Sequence, residues 1–186
     1  MKINNILYLV GKYLTNNDLL SELSSSYVNS ENSTILNYYI NLINTVQKRI
    51  AIECFSLRCR ETFEIKSQQP FLFKELNRQF HKIIKITQND KPVRFDLVEN
   101  GVLLPDGEYE IWYQYLPIDV VDYDSDVQDF NGKISERMFA LGVCAEDCLI
   151  KGMYDTSDFF EQKFIRSVNS IKTTSPYKNM PKRRWL

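Results

Sequence analysis

The sequence contains few of the residues that most often bind metals or act as nucleophiles. Among 186 residues there are one histidine and four cysteines. The cysteines form two pairs, Cys54 with Cys59 and Cys144 with Cys148, and neither pair has the two-residue gap of zinc ribbons. A four-cysteine zinc site and a Cys–His nucleophile using His81 are therefore disfavoured, and we expect buried free thiols.

The sequence also has no long apolar run and no excess of either charge. No apolar stretch approaches the roughly 18 residues that a bilayer crossing needs, and the first residues do not resemble a signal peptide. The chain has 23 Lys and Arg against 24 Asp and Glu, which disfavours a dedicated duplex-DNA binder. We expect a chain that is made in the cytoplasm and has no membrane partner.

Catalytic motifs are missing as well. The sequence has no Gly-rich phosphate loop, no H-E-x-x-H and no G-x-S-x-G motif. Alternating carboxylates from Asp122 to Asp126 resemble the opening of an EF-hand, but Val127 and Lys133 replace the required Gly and Glu. We expect no enzyme activity, no cofactor and no bound metal.

Helical periodicity is present near both ends of the chain. The predicted helices cover Ile3–Leu14, Asp18–Ser24 with Asn17 as its cap, Thr34–Cys54, Ile134–Lys151, and a last helix opened by a capping box of Asp158 and Glu161.

A period of two between the helices predicts a small antiparallel sheet. Strands are expected at 83–87, 93–97 and 102–104, with a hairpin turn at Asn100-Gly101. The clearest strand is Glu108–Leu116, in which Tyr109, Tyr113 and Tyr115 share one face. This face could stack nucleic-acid bases, but core packing is favoured because its neighbours are acidic.

Together these patterns predict one α+β domain over residues 1–175. N- and C-terminal helices, at 3–54 and 133–173, form a helical bundle that carries an antiparallel β-sheet insert at 60–117. Residues 176–186 form an extended C-terminal docking tail.

An acidic segment follows the last strand. Five aspartates lie within eleven residues that contain no Lys or Arg; they are Asp119, Asp122, Asp124, Asp126 and Asp129. If this segment faced a channel that carries DNA, its charge would repel phosphate and allow the duplex to slide.

The tail combines cations with an aromatic anchor. Its last residues are Pro181, Lys182, Arg183, Arg184, Trp185 and Leu186. Trp and Arg are enriched at interface hot spots, so docking into another protein is the favoured interpretation. A solvated end, packing on its own domain, and a nucleic-acid arm remain alternatives.

Four segments resemble the head–tail connector (adaptor) proteins of tailed bacteriophages. They are Leu42–Ala51, Leu104–Pro117, Ala140–Leu149 and Met180–Trp185. The resemblance implies a structural virion protein that forms a ring, commonly a dodecamer, below the portal protein and around the DNA exit channel. It also implies a C-terminal segment that grips the portal, a downstream neck or tail protein as second partner, and a location in the virion neck.

Two further functions remain as alternatives. One is a tail-completion or stopper protein, which would form a sixfold ring one layer further down. The other is a single-stranded nucleic-acid-binding module that uses the tyrosine strand and the basic tail.

Overall fold

The computed structural model describes residues 1–24, 34–66 and 70–173. These residues form helices and two antiparallel sheets, so the α+β class expected from the sequence is confirmed. The chain divides into two compact units. One comprises Met1–Ile43 and Asp122–Leu186, which we call the helical unit, and the other comprises Asn44–Val121, which we call the β unit. The single domain over 1–175 stays a prediction.

The helical unit is built from long helices near both ends of the chain. They are α1 (Ile3–Leu14), α2 (Asn17–Ser24), the first part of α3 (Thr34–Arg49), α4 (Glu136–Ile150) and α5 (Tyr154–Thr173). Ten residues of α4 are buried, which makes it the central helix of this unit. Phe160, Phe164 and Val168 form the buried stripe of α5, as the periodicity predicts.

Helix α2 starts one residue away from the expected cap. The backbone N–H of Leu19 donates to Oδ1 of Asn16 at 3.1 Å, so Asn16 caps the helix and Asn17 is its first residue. The prediction of Asn17 was wrong because two adjacent asparagines are equally good caps in sequence.

Helix α5 starts four residues earlier than expected. It begins at Tyr154, so Asp158 and Glu161 lie inside it and the predicted capping box is wrong. The side chain of Asp158 instead accepts a hydrogen bond from Nε2 of Gln162, one turn later, at 2.7 Å.

The β unit contains seven strands within the described residues. They are β1 (Leu57–Ile65), β2 (Phe71–Leu72), β3 (Phe80–Gln88), β4 (Lys91–Pro92), β5 (Asp96–Val98), β6 (Gly101–Leu103) and β7 (Gly107–Tyr115). Strands β1-β7-β3-β4 form one sheet and β2-β6-β5 the other. Helix α3 is followed by a π-helical turn, Ile50–Cys54, and residues 93–95 lie outside the strand predicted there.

The hairpin between β5 and β6 is shifted by one residue from the prediction. Val98 pairs with Gly101, so the two loop residues are Glu99 and Asn100, and Asn100 has a φ of 117°. Gly101 belongs to β6, where a Cβ would collide with the carbonyl oxygen of Phe71 on β2. Glycine is needed here for close strand approach and not for the turn.

None of the described helices is long and apolar enough to cross a membrane.

Candidate functional site

The predicted docking tail cannot be placed. Pro181, Lys182, Arg183, Arg184, Trp185 and Leu186 lie outside the described residues, as does the whole stretch 174–186. Its role in docking stays a prediction from the sequence.

The tyrosine face of β7 belongs to the core of the β unit. Tyr109 and Tyr113 are only 2% and 0% exposed and pack with Ile111 and Ile86. The hydroxyl of Tyr113 donates to the carboxylate of Glu61, and burial together with this bond raises the pKa of Tyr113. Tyr109 and Tyr113 therefore offer no exposed ring on which a base could stack, whereas Tyr115 on the same face is half-buried.

The opposite face of the same strand presents a different surface. Trp112 is paired across the sheet with Arg60 on β1 and Lys85 on β3. The Lys85 Nζ lies 4.6 Å from the centroid of the indole ring and the Arg60 guanidinium carbon 5.5 Å from it. Arg60 also forms an ion pair with Glu110 at 3.7 Å. The tryptophan is therefore flanked by two cations within cation–π distance.

Two more cations lie beside this centre. Arg58 and Lys82 both pair with Gln114, two residues along β7 from Trp112. We call Arg58, Arg60, Lys82, Lys85 and Trp112 the basic sheet face; its four cations are exposed. Sequence reasoning missed it because Glu108 and Glu110 are the neighbours along the strand, whereas the cations come from adjacent strands.

The first aspartate of the acidic segment belongs to the β unit and is paired. Asp119 lies 2.6 Å from the Nζ of Lys48 on α3. The next residue, Val120, exchanges two hydrogen bonds of 2.8 Å with the side-chain amide of Asn44. The backbone at this point is therefore fixed, while Ile118 and Val121 remain 74% and 73% exposed.

The remaining aspartates of the acidic segment belong to the helical unit. Asp126 accepts from the α-amino group of Met1 at 2.9 Å and pairs with Lys2 at 3.3 Å, and these contacts lower its pKa. Asp129 accepts from the backbone N–H of Gly132 at 2.7 Å. Sequence-distant cations thus neutralise part of a segment that contains none of its own.

Asp122 and Asp124 complete the acidic segment. Both side chains are exposed, with Tyr123 half-buried between them in sequence. Val127, where an EF-hand requires glycine, is buried. The segment is anchored at Val127 and presents its carboxylates to solvent on either side.

A basic groove lies between α4 and α5 in the helical unit. It has a volume of about 570 Å³, and Lys133, Arg137, Lys163 and Arg166 lie along it, all exposed. None of the described residues that line it is a carboxylate. Lys133 and Arg137 are four residues apart, and Lys163 and Arg166 are three apart. In a helix these spacings place the two members of each pair on the same side. This signal was available in the sequence.

The turn between α4 and α5 exposes apolar side chains. Leu149, Ile150, Met153 and Tyr154 are all exposed, and Tyr154 reaches 69%. The turn itself depends on Gly152, whose φ of 73° lies in the left-handed region typical of the residue that follows a helix. Four exposed apolar residues within a stretch of six are unusual for a surface that faces only water.

A buried carboxylate joins polar groups of α3 and α4 in the helical unit. Asp147 on α4 is fully buried; it accepts from the hydroxyl of Tyr38 at 3.0 Å and pairs with Lys151 at 2.8 Å. Burial and the bond to Asp147 raise the pKa of Tyr38 to about 12. Tyr38 and Lys151 both bind the buried carboxylate of Asp147, so we assign this network a structural role.

The four cysteines are free thiols. Cys144 and Cys148 are buried in the helical unit, and burial raises the pKa of both. Cys54 and Cys59 are half-buried in the β unit. Among the described residues, no cluster of three or more His, Cys, Asp or Glu side chains could hold a metal ion.

Comparison of the chain with protein-family models and with curated proteins gives no match.

Proposed function

We propose that this chain is a structural virion protein, a head–tail adaptor that forms a ring below the portal and joins the capsid to the tail. The four sequence segments that resemble such adaptors are the origin of the proposal. It includes a helical bundle that carries a β insert. Support for that arrangement comes from the helical unit, whose two parts precede and follow the β unit in sequence.

The observation that carries the proposal is the exposed apolar turn between α4 and α5. Leu149, Ile150, Met153 and Tyr154 lie within six consecutive residues and are all exposed. A contiguous apolar patch on a protein surface marks contact with another protein. The chain therefore has a surface suited to adhesion, which is the activity that an adaptor requires.

The proposed partners follow from the resemblance. Other copies of the chain form the ring, the portal protein receives the tail 176–186, and a downstream neck or tail protein binds the opposite side. DNA passes through the lumen without specific binding; a lumen-facing acidic segment is the alternative to one that binds a neighbouring copy. The tail-completion or stopper alternative differs from the adaptor in the symmetry of the ring. A sixfold ring would indicate a stopper protein, which lies one layer below the adaptor.

Portal attachment can be tested with the portal protein encoded in the same genome. A chain lacking residues 176–186 should stay folded by circular dichroism but fail to co-sediment with portal rings. Attachment that survives this deletion would refute the docking role of the tail.

The apolar turn can be tested in the same assay. Leu149→Ser/Tyr154→Ser should weaken assembly on the portal, since it removes exposed apolar area from the contact. Ile165→Ser is the matched control, because Ile165 is also exposed on α5 but lies away from the turn. Equal effects of the two variants would show that the turn has no special role.

A second candidate function is single-stranded nucleic-acid binding, which the basic sheet face favours. An aromatic ring between cations is the arrangement that binds bases and phosphates together. Fluorescence anisotropy with a labelled oligothymidylate should then show binding that weakens steeply with salt. Trp112→Phe and Lys85→Gln should each reduce the affinity, whereas Lys91→Gln, outside this face, should not. Salt-independent or absent binding would discard this function.

A further inference from the structure

Charges of opposite sign are separated on the surface of the helical unit. The basic groove contains four exposed cations and no carboxylate among its lining residues. The acidic segment contains exposed carboxylates at Asp122 and Asp124 and no Lys or Arg in its sequence. The whole chain has a net charge of only −1. The basic groove and the acidic segment are thus surfaces of opposite sign on a nearly neutral chain.

The floor of the basic groove indicates what kind of ligand it fits. Met138 and Leu141 on α4 and Ile171 on α5 line it between the cations. Met138 and Leu141 are buried and Ile171 is half-buried. A polyphosphate backbone would match only the cations of the groove. A peptide that alternates carboxylates with apolar or aromatic side chains would match both the cations and the apolar residues between them. Asp122-Tyr123-Asp124 has that composition.

The tail of the chain is a poor match for the groove. In the sequence it follows α5, but it carries Lys178, Lys182, Arg183 and Arg184 and no acidic residue. Like charges would oppose its binding among four cations. The occupant must therefore be acidic and come from another molecule or another part of the surface.

From this complementarity we infer that the acidic segment of one copy, centred on Asp122 and Asp124, docks into the basic groove of the next copy. The inference rests on the proposed function, since it supplies the contact between ring neighbours. Groove and segment are different surfaces, so the contact is heterologous: each copy offers one groove and one segment, and repetition closes a ring or extends a filament. The electrostatic part of the contact weakens with salt.

Two charge-reversal variants test the contact by sedimentation velocity. The groove variant is Lys163→Glu/Arg166→Glu, and the segment variant is Asp122→Lys/Asp124→Lys. The wild type should self-associate, and each variant alone should do so at least about tenfold more weakly, because like charges then meet at the contact. Lys74→Glu/Lys91→Glu and Glu99→Lys/Glu108→Lys are matched controls on exposed residues of the β unit and should assemble normally.

Mixing the two variants gives the sharpest result. The segment variant keeps an intact groove and the groove variant keeps an intact segment, and the reversed segment also matches the reversed groove, so both contacts between unlike copies are compatible. An equimolar mixture should therefore regain assembly with the two variants alternating, and a chain carrying all four substitutions should also regain it. Circular dichroism shows whether each reversal variant folds. If either does not, the charge-neutral variant Lys163→Gln/Arg166→Gln tests the same contact.

Several outcomes would overturn the inference. They are a wild type that stays a 22.0 kDa monomer, variants that assemble like the wild type, or a mixture of the two variants that stays unassembled. The groove variant could instead lose oligothymidylate binding while its assembly is unchanged. That result would mean that the groove binds nucleic-acid phosphate and not the acidic segment. The adaptor proposal fails separately: a chain that assembles head to tail but never binds portal rings would sink that function and leave this contact intact.

Discussion

At the scale of single residues, the amide of Asn44 has the clearest structural task. It is buried and holds both the N–H and the carbonyl of Val120, each at 2.8 Å. We expect Asn44→Ala to lower the free energy of unfolding by about 1–3 kcal/mol, because it leaves two buried backbone groups without partners. Urea denaturation measures this loss.

Asn41→Ala is the matched control for that change. Asn41 lies on the same helix, one turn earlier, and is exposed. A similar loss of stability in both variants would mean that the cost comes from the helix and not from the contact with Val120.

Tyr38 gives a prediction on pH dependence. Its pKa rises from 10.0 to about 12 through burial and its bond to Asp147. A group whose pKa is raised by folding stabilises the fold fully below its unfolded pKa and loses this contribution as pH rises. The Tyr38 contribution should therefore be complete below pH 10 and disappear by about pH 12.

Absorbance at a tyrosinate wavelength measures this titration. The pKa values of Tyr39 and Tyr113 are raised as well, so the wild type should contain one more late-ionising tyrosine than Tyr38→Phe. The stability of Tyr38→Phe should also fall less than that of the wild type between pH 10 and 12. Identical titration curves for the two proteins would contradict the bond between Tyr38 and Asp147.

At the scale of elements, the small sheet β2-β6-β5 depends on Gly101. Any Cβ there would collide with the carbonyl of Phe71, so the strands would have to separate. We expect Gly101→Ala to destabilise the protein by about 1–3 kcal/mol and to speed hydrogen exchange of β2 and β6. Leu103→Ala, at an exposed residue of the same strand, is the control and should leave exchange in β2 unchanged.

The helices were the most predictable elements because a buried stripe repeats every 3.6 residues over several turns. Their starts were less predictable: Asn16 and Asn17 are chemically equivalent caps, and Asp158 with Glu161 has the spacing of a capping box inside a helix as well as at its start. Strand β7 was recognisable for the same reason as the helices, since its alternation is strict.

The candidate surfaces were less accessible to sequence reasoning than the elements. Trp112 acquires Arg60 and Lys85 only through strand pairing, and strand order cannot be read from a local pattern. Likewise, Asp126 of the acidic segment is paired with Met1 and Lys2, more than a hundred residues away. Long-range register and ion pairing decide both cases.

At the scale of the whole molecule, a nearly neutral chain carries strongly separated charges. The basic groove, the acidic segment, the basic sheet face and the apolar turn are four distinct surfaces, each exposed and each suited to binding. A protein that works by adhesion requires several such surfaces, because a ring subunit must contact its neighbours as well as the layers above and below.

The central claim is that the chain assembles as a ring on the portal, and native mass spectrometry of the two purified proteins tests it most directly. We expect portal rings to gain a fixed number of 22.0 kDa subunits, twelve if the adaptor resemblance holds, and to gain none when residues 176–186 are deleted. Portal rings that stay bare in a large excess of the chain would contradict the claim.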